Sequence, residues 1–180
     1  MSLRRALMNN EQSQTLAALQ TAIQMEIDGK KYYLQLSQTG ANESGRKLFS
    51  WLAEQEDLHL KKFEQIFKAI EAKQAWPEIE LGESHAGPSV GIFNQKPGGN
   101  IGSTSSELKS IKKAMEMENQ TLDYYLAQAA KAVFPVEKQY YEAVAGQERI
   151  HHVLLLDYYE YLNDPAQWHF MKERQNVDGG

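Results

Sequence analysis

The segment Glu56-Asp57-Leu58-His59 and its counterpart Glu148-Arg149-Ile150-His151 decide the fold of this chain. Each Glu-x-x-His motif follows a single glutamate, Glu26 or Glu118, by 30 residues, and the two copies are offset by 92 positions. The offset extends to neighbouring residues: Ala22, Met25, Tyr32 and Tyr33 correspond to Ala114, Met117, Tyr124 and Tyr125, and Ala53 and Gln55 correspond to Ala145 and Gln147. The pattern predicts a duplicated helical hairpin.

Apolar residues recur at steps of three and four around these motifs, which is the periodicity of amphipathic helices. They predict four helices over about residues 12–39, 44–73, 105–133 and 136–163, with the four glutamates and both histidines inside the apolar stripes. Gly40 and Gly45 separate the first two helices, with Asn42 or Ser44 as the N-cap of the second. Thr104-x-x-Glu107 is a capping box for the third helix, and Pro135 opens the fourth.

Six of the twelve glycines and three of the five prolines lie between Trp76 and Ser103. They predict a long irregular connection over about residues 74–104. Such a connection lets the third helix run in the same sense as the second, whereas the short loops make each hairpin antiparallel. We therefore expect an all-α four-helix bundle forming one domain over residues 1–180, with a crossover and a C-terminal tail at about 164–180. Apolar residues of the crossover must pack on the bundle or on a partner chain.

Composition restricts the classes of function. The net charge of -5 argues against general nucleic-acid binding. The longest apolar run, Val153–Leu156, is far shorter than the roughly 20 residues of a membrane span. Cysteine is absent, so any metal ion would take nitrogen and oxygen ligands. A cytoplasmic protein without a membrane segment is the expectation.

The motifs indicate a site for two metal ions. Positions i and i+3 share one helix face, so Glu56 and His59 can approach the same ion, as can Glu148 and His151. With Glu26 and Glu118 the set is four carboxylates and two imidazoles, which suits iron or manganese. Buried carboxylates need neutralisation, and two divalent cations balance four negative charges. A pair about 3.5–4 Å apart can bind dioxygen or peroxide.

Tyr33 and Tyr125 lie seven residues after Glu26 and Glu118, on the same helix face. They are candidates for hydrogen bonds to the ligand carboxylates, or alternatively are core aromatics with satisfied hydroxyls. Tyr32 and Tyr124 are expected to face outward or to pack. A single Glu-x-x-His pair is usually a solvated surface pair, and it is the agreement between two copies that favours metal.

These residues resemble the ferritin-like di-iron superfamily and, within it, the rubrerythrin-like branch, over about residues 12–163. The resemblance implies that two iron ions are held by Glu26, Glu56, His59, Glu118, Glu148 and His151, with Glu56 and Glu148 bridging. Manganese or a mixed pair is also compatible with this set.

Two features depart from the family pattern. A typical rubrerythrin carries a C-terminal rubredoxin module with Cys-ligated iron, so electrons would here come from a separate donor. Rubrerythrins also have a glutamate three residues after the third-helix ligand, where this chain has Thr121, and the corresponding place on the first helix is Gly29. The small residues are expected to leave room for an exogenous ligand, and the six-ligand set is similar to that of bacterioferritin-type ferroxidase centres.

The resemblance implies a di-iron oxidoreductase in which a reduced iron pair reacts with hydrogen peroxide or dioxygen. The alternatives are a ferroxidase, a storage protein that holds iron or manganese without turnover, and a structural helical dimer whose buried carboxylates are protonated. Exposed apolar residues in the crossover and tail favour a homodimer.

Overall fold

The computed structural model describes residues 3–40, 42–79 and 105–177. Within these ranges the chain forms five helices and no strand: α1 (Leu3–Thr39), α2 (Glu43–Glu71), α3 (Ser105–Lys131), α4 (Pro135–Asn163) and α5 (Pro165–Val177). The first four pair as two hairpins, α1 with α2 and α3 with α4, in a four-helix bundle. The predicted all-α fold is confirmed.

The helices α2, α3 and α4 begin and end within two residues of the sequence-based expectation. The helix α1 begins at Leu3 instead of at about residue 12, because no glycine or proline interrupts the helix-forming residues of this segment. The helix α5 lies in the segment expected to be a tail. Pro165 occupies its first position and the Asp164 side chain accepts a hydrogen bond from the Gln167 backbone N–H, 3.0 Å away.

The start of α2 is capped as predicted by one of the two candidates. The Asn42 side-chain oxygen accepts a hydrogen bond from the Gly45 backbone N–H at 2.8 Å. Phe134 has extended backbone angles before Pro135, which opens α4. The proposed capping box at α3 cannot be followed, because Thr104 lies outside the described residues.

Contacts between the hairpins give the direction of each helix. Tyr33 of α1 bonds Glu118 of α3, and Tyr125 of α3 bonds Glu26 of α1, so these two helices are antiparallel. Since α1 is also antiparallel to α2, α2 and α3 run in the same sense. The end of α2 and the start of α3 therefore lie at opposite ends of the bundle, about 40 Å apart for a helix the length of α3.

Two buried apolar clusters lie on either side of the Glu-x-x-His motifs. The first contains Tyr33, Phe49 and Tyr158, and the second contains Phe63, Tyr125 and Tyr141. On α2 the motif Glu56–His59 falls between Leu52 and Phe63, which belong to different clusters. The fold thus places the six predicted ligands in a short polar layer between two apolar ones.

The beginning of the crossover packs on the bundle. Trp76 is buried and its ring lies 5.8 Å from that of Tyr141 and 6.1 Å from that of Tyr140, measured between centroids. Ile79 packs against the same cluster. The other apolar crossover residues that were expected to pack on the bundle or on a partner chain lie outside the described residues: Leu81, Val90, Ile92, Phe93 and Ile101.

In the described part of the chain, none of the helices combines the length and the apolar character that a membrane crossing requires.

Gly45 is the glycine whose replacement is expected to cost most stability. An added Cβ would lie 2.1 Å from the hydroxyl oxygen of Tyr158, which is fully buried and bonds Asn42 and Glu107. Gly45→Ala should therefore destabilise the protein by about 1–3 kcal/mol through overpacking. Thermal unfolding followed by circular dichroism measures the effect.

Gly146 supplies the matched control, since an added Cβ there meets nothing within 4 Å. Gly146→Ala lies in the interior of α4 and should stabilise the protein by roughly 0.5–1 kcal/mol. Equal melting temperatures for the two variants would contradict the packing described around Tyr158.

Candidate metal centre

The structure brings all six predicted ligands together from four different helices. Their side chains converge in the polar layer, and the most exposed of them, Glu56, shows only 4% of its surface. They form two overlapping groups in which one ligand atom per residue lies within 4.8 Å of every other. The first group is Glu26, Glu56, His59 and Glu148, and the second is Glu56, Glu118, Glu148 and His151.

Both histidines turn the Nδ1 atom toward the carboxylates. His59 Nδ1 lies 3.1 Å from Glu148 Oε1 and 3.5 Å from Glu26 Oε2. His151 Nδ1 lies 3.3 Å from Glu148 Oε2, 3.5 Å from Glu56 Oε1 and 3.6 Å from Glu118 Oε2. The rings stand 5.8 Å apart between centroids at 24°, so the two imidazoles border the layer side by side.

Glu56 and Glu148 belong to both groups. Glu148 points one carboxylate oxygen at each histidine, and so spans the space between the two positions. Glu26 with His59 lies on one side and Glu118 with His151 on the other. The layer thus has two carboxylates common to both groups, and one carboxylate and one imidazole particular to each group.

Tyr33 and Tyr125 connect the hairpins. The Tyr33 hydroxyl donates to Glu118 Oε1 across the bundle, and the Tyr125 hydroxyl donates to Glu26 Oε1 in the opposite direction. Burial, followed by the charges of the neighbouring glutamates, raises the pKa of both tyrosines well above 10.0. The hydroxyls therefore stay protonated and act as donors that fix the Glu118 and Glu26 carboxylates.

The neighbouring tyrosines, Tyr32 and Tyr124, form hydrogen bonds between the helices of the two hairpins. Tyr32 donates to the Ser110 carbonyl oxygen at 3.0 Å, and Tyr124 donates to the Ala18 carbonyl oxygen at 2.8 Å. Both side chains are half-buried and contact backbone of the other hairpin, so they pack between helices rather than reach the carboxylates.

Thr121 and Gly29, which occupy equivalent positions in the two repeats, have different surroundings. The Thr121 hydroxyl donates to the Met117 carbonyl oxygen, 3.0 Å away on its own helix. At Gly29 an added Cβ would lie 3.2 Å from Glu56 Oε2. The space expected there for an exogenous ligand is occupied by the Glu56 carboxylate, which approaches α1 at this glycine.

The donor atoms fit a cation site because many of them lack a hydrogen-bond partner. Six buried atoms of the layer meet one another only in the ion-pair contacts above and make no hydrogen bond: Glu26 Oε2, Glu118 Oε2, Glu148 Oε1 and Oε2, His59 Nδ1 and His151 Nδ1. A buried polar atom without a partner costs roughly 1–3 kcal/mol. Cations that take these six atoms as ligands would remove that cost, and the layer is compatible with binding iron or another metal.

Electrostatics in the layer show how protons compensate its negative charge. Burial, together with repulsion from neighbouring glutamates, raises the pKa of Glu56 well above 4.5 and that of Glu118 to about 8. Burial alone would raise the pKa of Glu148, but the close approach of the His151 and His59 imidazoles, at 3.3 and 3.1 Å, holds that pKa well below its usual range. Burial opposes protonation of both histidines, yet the surrounding carboxylates raise the pKa of each well above 6.5.

The contact between Gln147 and His59 was not predicted from the sequence. The ring nitrogen Nε2 of His59 lies 2.5 Å from Gln147 Oε1. The sequence feature that could have pointed to it is the repeat offset, which pairs Gln147 with Gln55, each one residue before the glutamate of its Glu-x-x-His motif. Periodicity alone could not show which of the two glutamines reaches a histidine.

Comparison with known proteins supports the resemblance. The family model described as Rubrerythrin matches residues 17–94, a range that includes Glu26, Glu56 and His59. No curated protein and no solved structure matches the chain. The second hairpin lies beyond the matched range and is related to the first by the offset motifs and by the geometry above. Residues 17–94 of this chain are therefore similar to the rubrerythrin family, a ferritin-like family of di-iron proteins.

Proposed function

We propose that the protein is a di-iron oxidoreductase that reacts with hydrogen peroxide or dioxygen. Two ions are assigned to the overlapping groups, one beside Glu26 and His59 and the other beside Glu118 and His151, with Glu56 and Glu148 shared. The observation that carries the proposal is the convergence of six buried donor residues, five of which carry oxygen or nitrogen atoms without a hydrogen bond.

The composition of the donor set supports iron. Four carboxylates offer hard oxygen ligands and two imidazoles offer borderline nitrogen ligands, a combination that suits iron and manganese. Four ionised carboxylates and two divalent cations sum to zero charge, so the buried layer would be neutral without bound protons. When bound, a reduced iron pair supplies two electrons, which with two protons reduce one hydrogen peroxide to two waters.

The chain's own residues hold this layer rigid and dry. Tyr33 and Tyr125 fix the terminal carboxylates from the opposite hairpin. Phe63 stacks on Tyr125 at 5.3 Å between ring centroids and closes one end of the layer. Trp51 places its ring edge-on to His151 at 5.6 Å. Together these contacts limit the movement of the ligands and exclude bulk water.

A ferroxidase, in which Fe(II) from solution is the substrate, is the second candidate. Thr121 favours it, because its hydroxyl bonds the backbone of α3 and supplies no carboxylate where rubrerythrins have a glutamate. Storage of iron or manganese without turnover would use the same ligands.

Anaerobic loading with Fe(II), followed by oxidant, separates these functions. Two Fe(II) per chain, with a near-ultraviolet absorption change on adding peroxide and recovery on adding a reductant, supports the oxidoreductase. Faster oxidation by dioxygen with release or accumulation of Fe(III) supports the ferroxidase. Stoichiometric binding without an absorption change supports storage, and no binding would leave only a structural role for the six residues.

Removal of a tyrosine hydroxyl should weaken metal binding. Tyr33→Phe leaves Glu118 Oε1 without its donor, and we expect the metal affinity to fall about 10–100-fold, as is usual when a hydrogen bond to a ligand is lost. Isothermal titration calorimetry with Mn(II) measures it. Tyr32→Phe is the matched control, since that hydroxyl bonds the Ser110 backbone, and its affinity should equal that of the unsubstituted protein.

The proposed setting is the cytoplasm, with a separate protein as electron donor and a homodimer as the assembly. Exposed apolar side chains on one stretch of α4 support the homodimer: Ile150, Val153 and Leu156 are 42%, 56% and 39% exposed. Sedimentation equilibrium tests it, and a monomer at micromolar concentration would contradict it.

A further inference from the structure

We infer that the two metal positions are unequal, and that Gln147 makes the position beside His59 the tighter one. The inference rests on the proposed metal binding and adds a positioning residue to it. The geometry that points to it is the contact of Gln147 with His59, which the repeat does not reproduce at His151.

His59 is held at both ring nitrogens. Its Nδ1 faces Glu148 Oε1 and Glu26 Oε2, whereas its Nε2 lies 2.5 Å from Gln147 Oε1 on α4. An amide oxygen only accepts hydrogen bonds, so the Nε2 atom carries the proton and donates it. The ring is thereby fixed in the tautomer and orientation that present the Nδ1 lone pair to an ion once the Nδ1 proton is displaced.

His151 lacks this partner. The repeat offset of 92 positions pairs Gln147 with Gln55. Among the described residues, Gln55 makes no hydrogen bond to His151. Gln55 instead lines a surface groove of about 630 Å³ together with Trp51 and Asp57. The ring of Trp51, whose positional counterpart is Ala143, packs perpendicular to that of His151.

The difference has a direct consequence for affinity. A partner that orients a histidine ligand typically changes metal affinity 10–100-fold. The ion beside His59 meets a ligand whose Nε2 side is already fixed by Gln147, whereas the ion beside His151 meets a ring that receives no such hydrogen bond from Gln55. The first position should therefore fill before the second, and the second should lose its ion first.

Anaerobic titration with Co(II), followed by calorimetry and by the visible absorption of the ion, tests this order. The unsubstituted protein should bind two Co(II) in two resolved steps. Gln147→Ala should weaken the first step 10–100-fold and merge the two steps, whereas Gln147→Glu, which keeps an acceptor oxygen, should restore them. Gln55→Ala, the same substitution at the matching position, should leave both steps unchanged.

A second measurement separates orientation of the ring from general damage. In the Zn(II)-loaded protein, proton–nitrogen NMR should show His59 as a single Nε2–H tautomer, and Gln147→Ala should lose the protected Nε2–H signal while His151 keeps its own spectrum. Two equal binding steps in the unsubstituted protein, or an equal loss in Gln55→Ala and Gln147→Ala, would overturn the inference while leaving the metal site intact. Absence of Co(II) binding would overturn the proposed function as well.

Discussion

Glu148→Gln is expected to abolish binding of a metal pair. Glu148 is the residue whose two carboxylate oxygens approach both histidines, at 3.1 Å from His59 and 3.3 Å from His151. The amide keeps the volume of the side chain but removes the negative charge and one acceptor oxygen. We expect at least a 100-fold loss of affinity, which corresponds to about 2.7 kcal/mol. Iron and protein quantified after anaerobic loading and gel filtration give the stoichiometry.

Glu142→Gln is the matched control for this substitution. Glu142 lies on the same helix, but it is exposed and faces Lys138 at 3.8 Å. Its replacement should leave two ions per chain. Retention of two ions by Glu148→Gln with undiminished affinity would contradict the assignment of Glu148 as a shared ligand.

The metal-free protein is expected to lose stability as pH rises from about 5 to 9, and metal should reverse that loss. Glu118 has a folded-state pKa of about 8, raised from 4.5 by burial and by Glu148. A raised pKa gives stability that is present below the unfolded value and lost as pH rises through the folded one. Glu56, His59 and His151 shift in the same direction. The depressed pKa of Glu148 acts in acid, below this range.

Bound cations replace these protons, so the stabilisation by metal should grow with pH. At a free metal concentration 100 times the dissociation constant, each ion adds about 2.7 kcal/mol, or roughly 5 kcal/mol for the pair. The melting temperature should rise by roughly 10–20 °C at pH 8 and by less at pH 5. Calorimetry in buffers of different ionisation enthalpy should also detect proton release on binding. A metal-free protein of equal stability at pH 5 and pH 9, with no gain from metal, would contradict this electrostatic description.

Much of the fold could be predicted because the two repeats are strongly periodic. Steps of three and four around Glu56 and Glu148 predicted α2 and α4, and Asn42 was one of two residues named for the cap of α2. The sense of α3 followed from the length of the connection. The convergence of six ligands followed from the offset of 92 positions, since equivalent residues of two similar hairpins meet when the hairpins pack face to face.

Other features depend on side-chain contacts that periodicity does not contain. The helix α5 was not expected because its 13 residues carry no clear apolar stripe, and it is fixed by Trp168 packing into the core beside Tyr161. The space at Gly29 depends on where Glu56 points. The contact between Gln147 and His59 distinguishes two glutamines that the sequence presents as equivalent.

Anomalous diffraction from crystals loaded anaerobically with Fe(II) tests the central claim most directly. We expect two iron peaks per chain inside the polar layer, one bordered by Glu26 and His59 and the other by Glu118 and His151, with Glu56 and Glu148 contacting both. An empty layer in crystals of fully loaded protein, or iron bound only at the surface, would contradict the account.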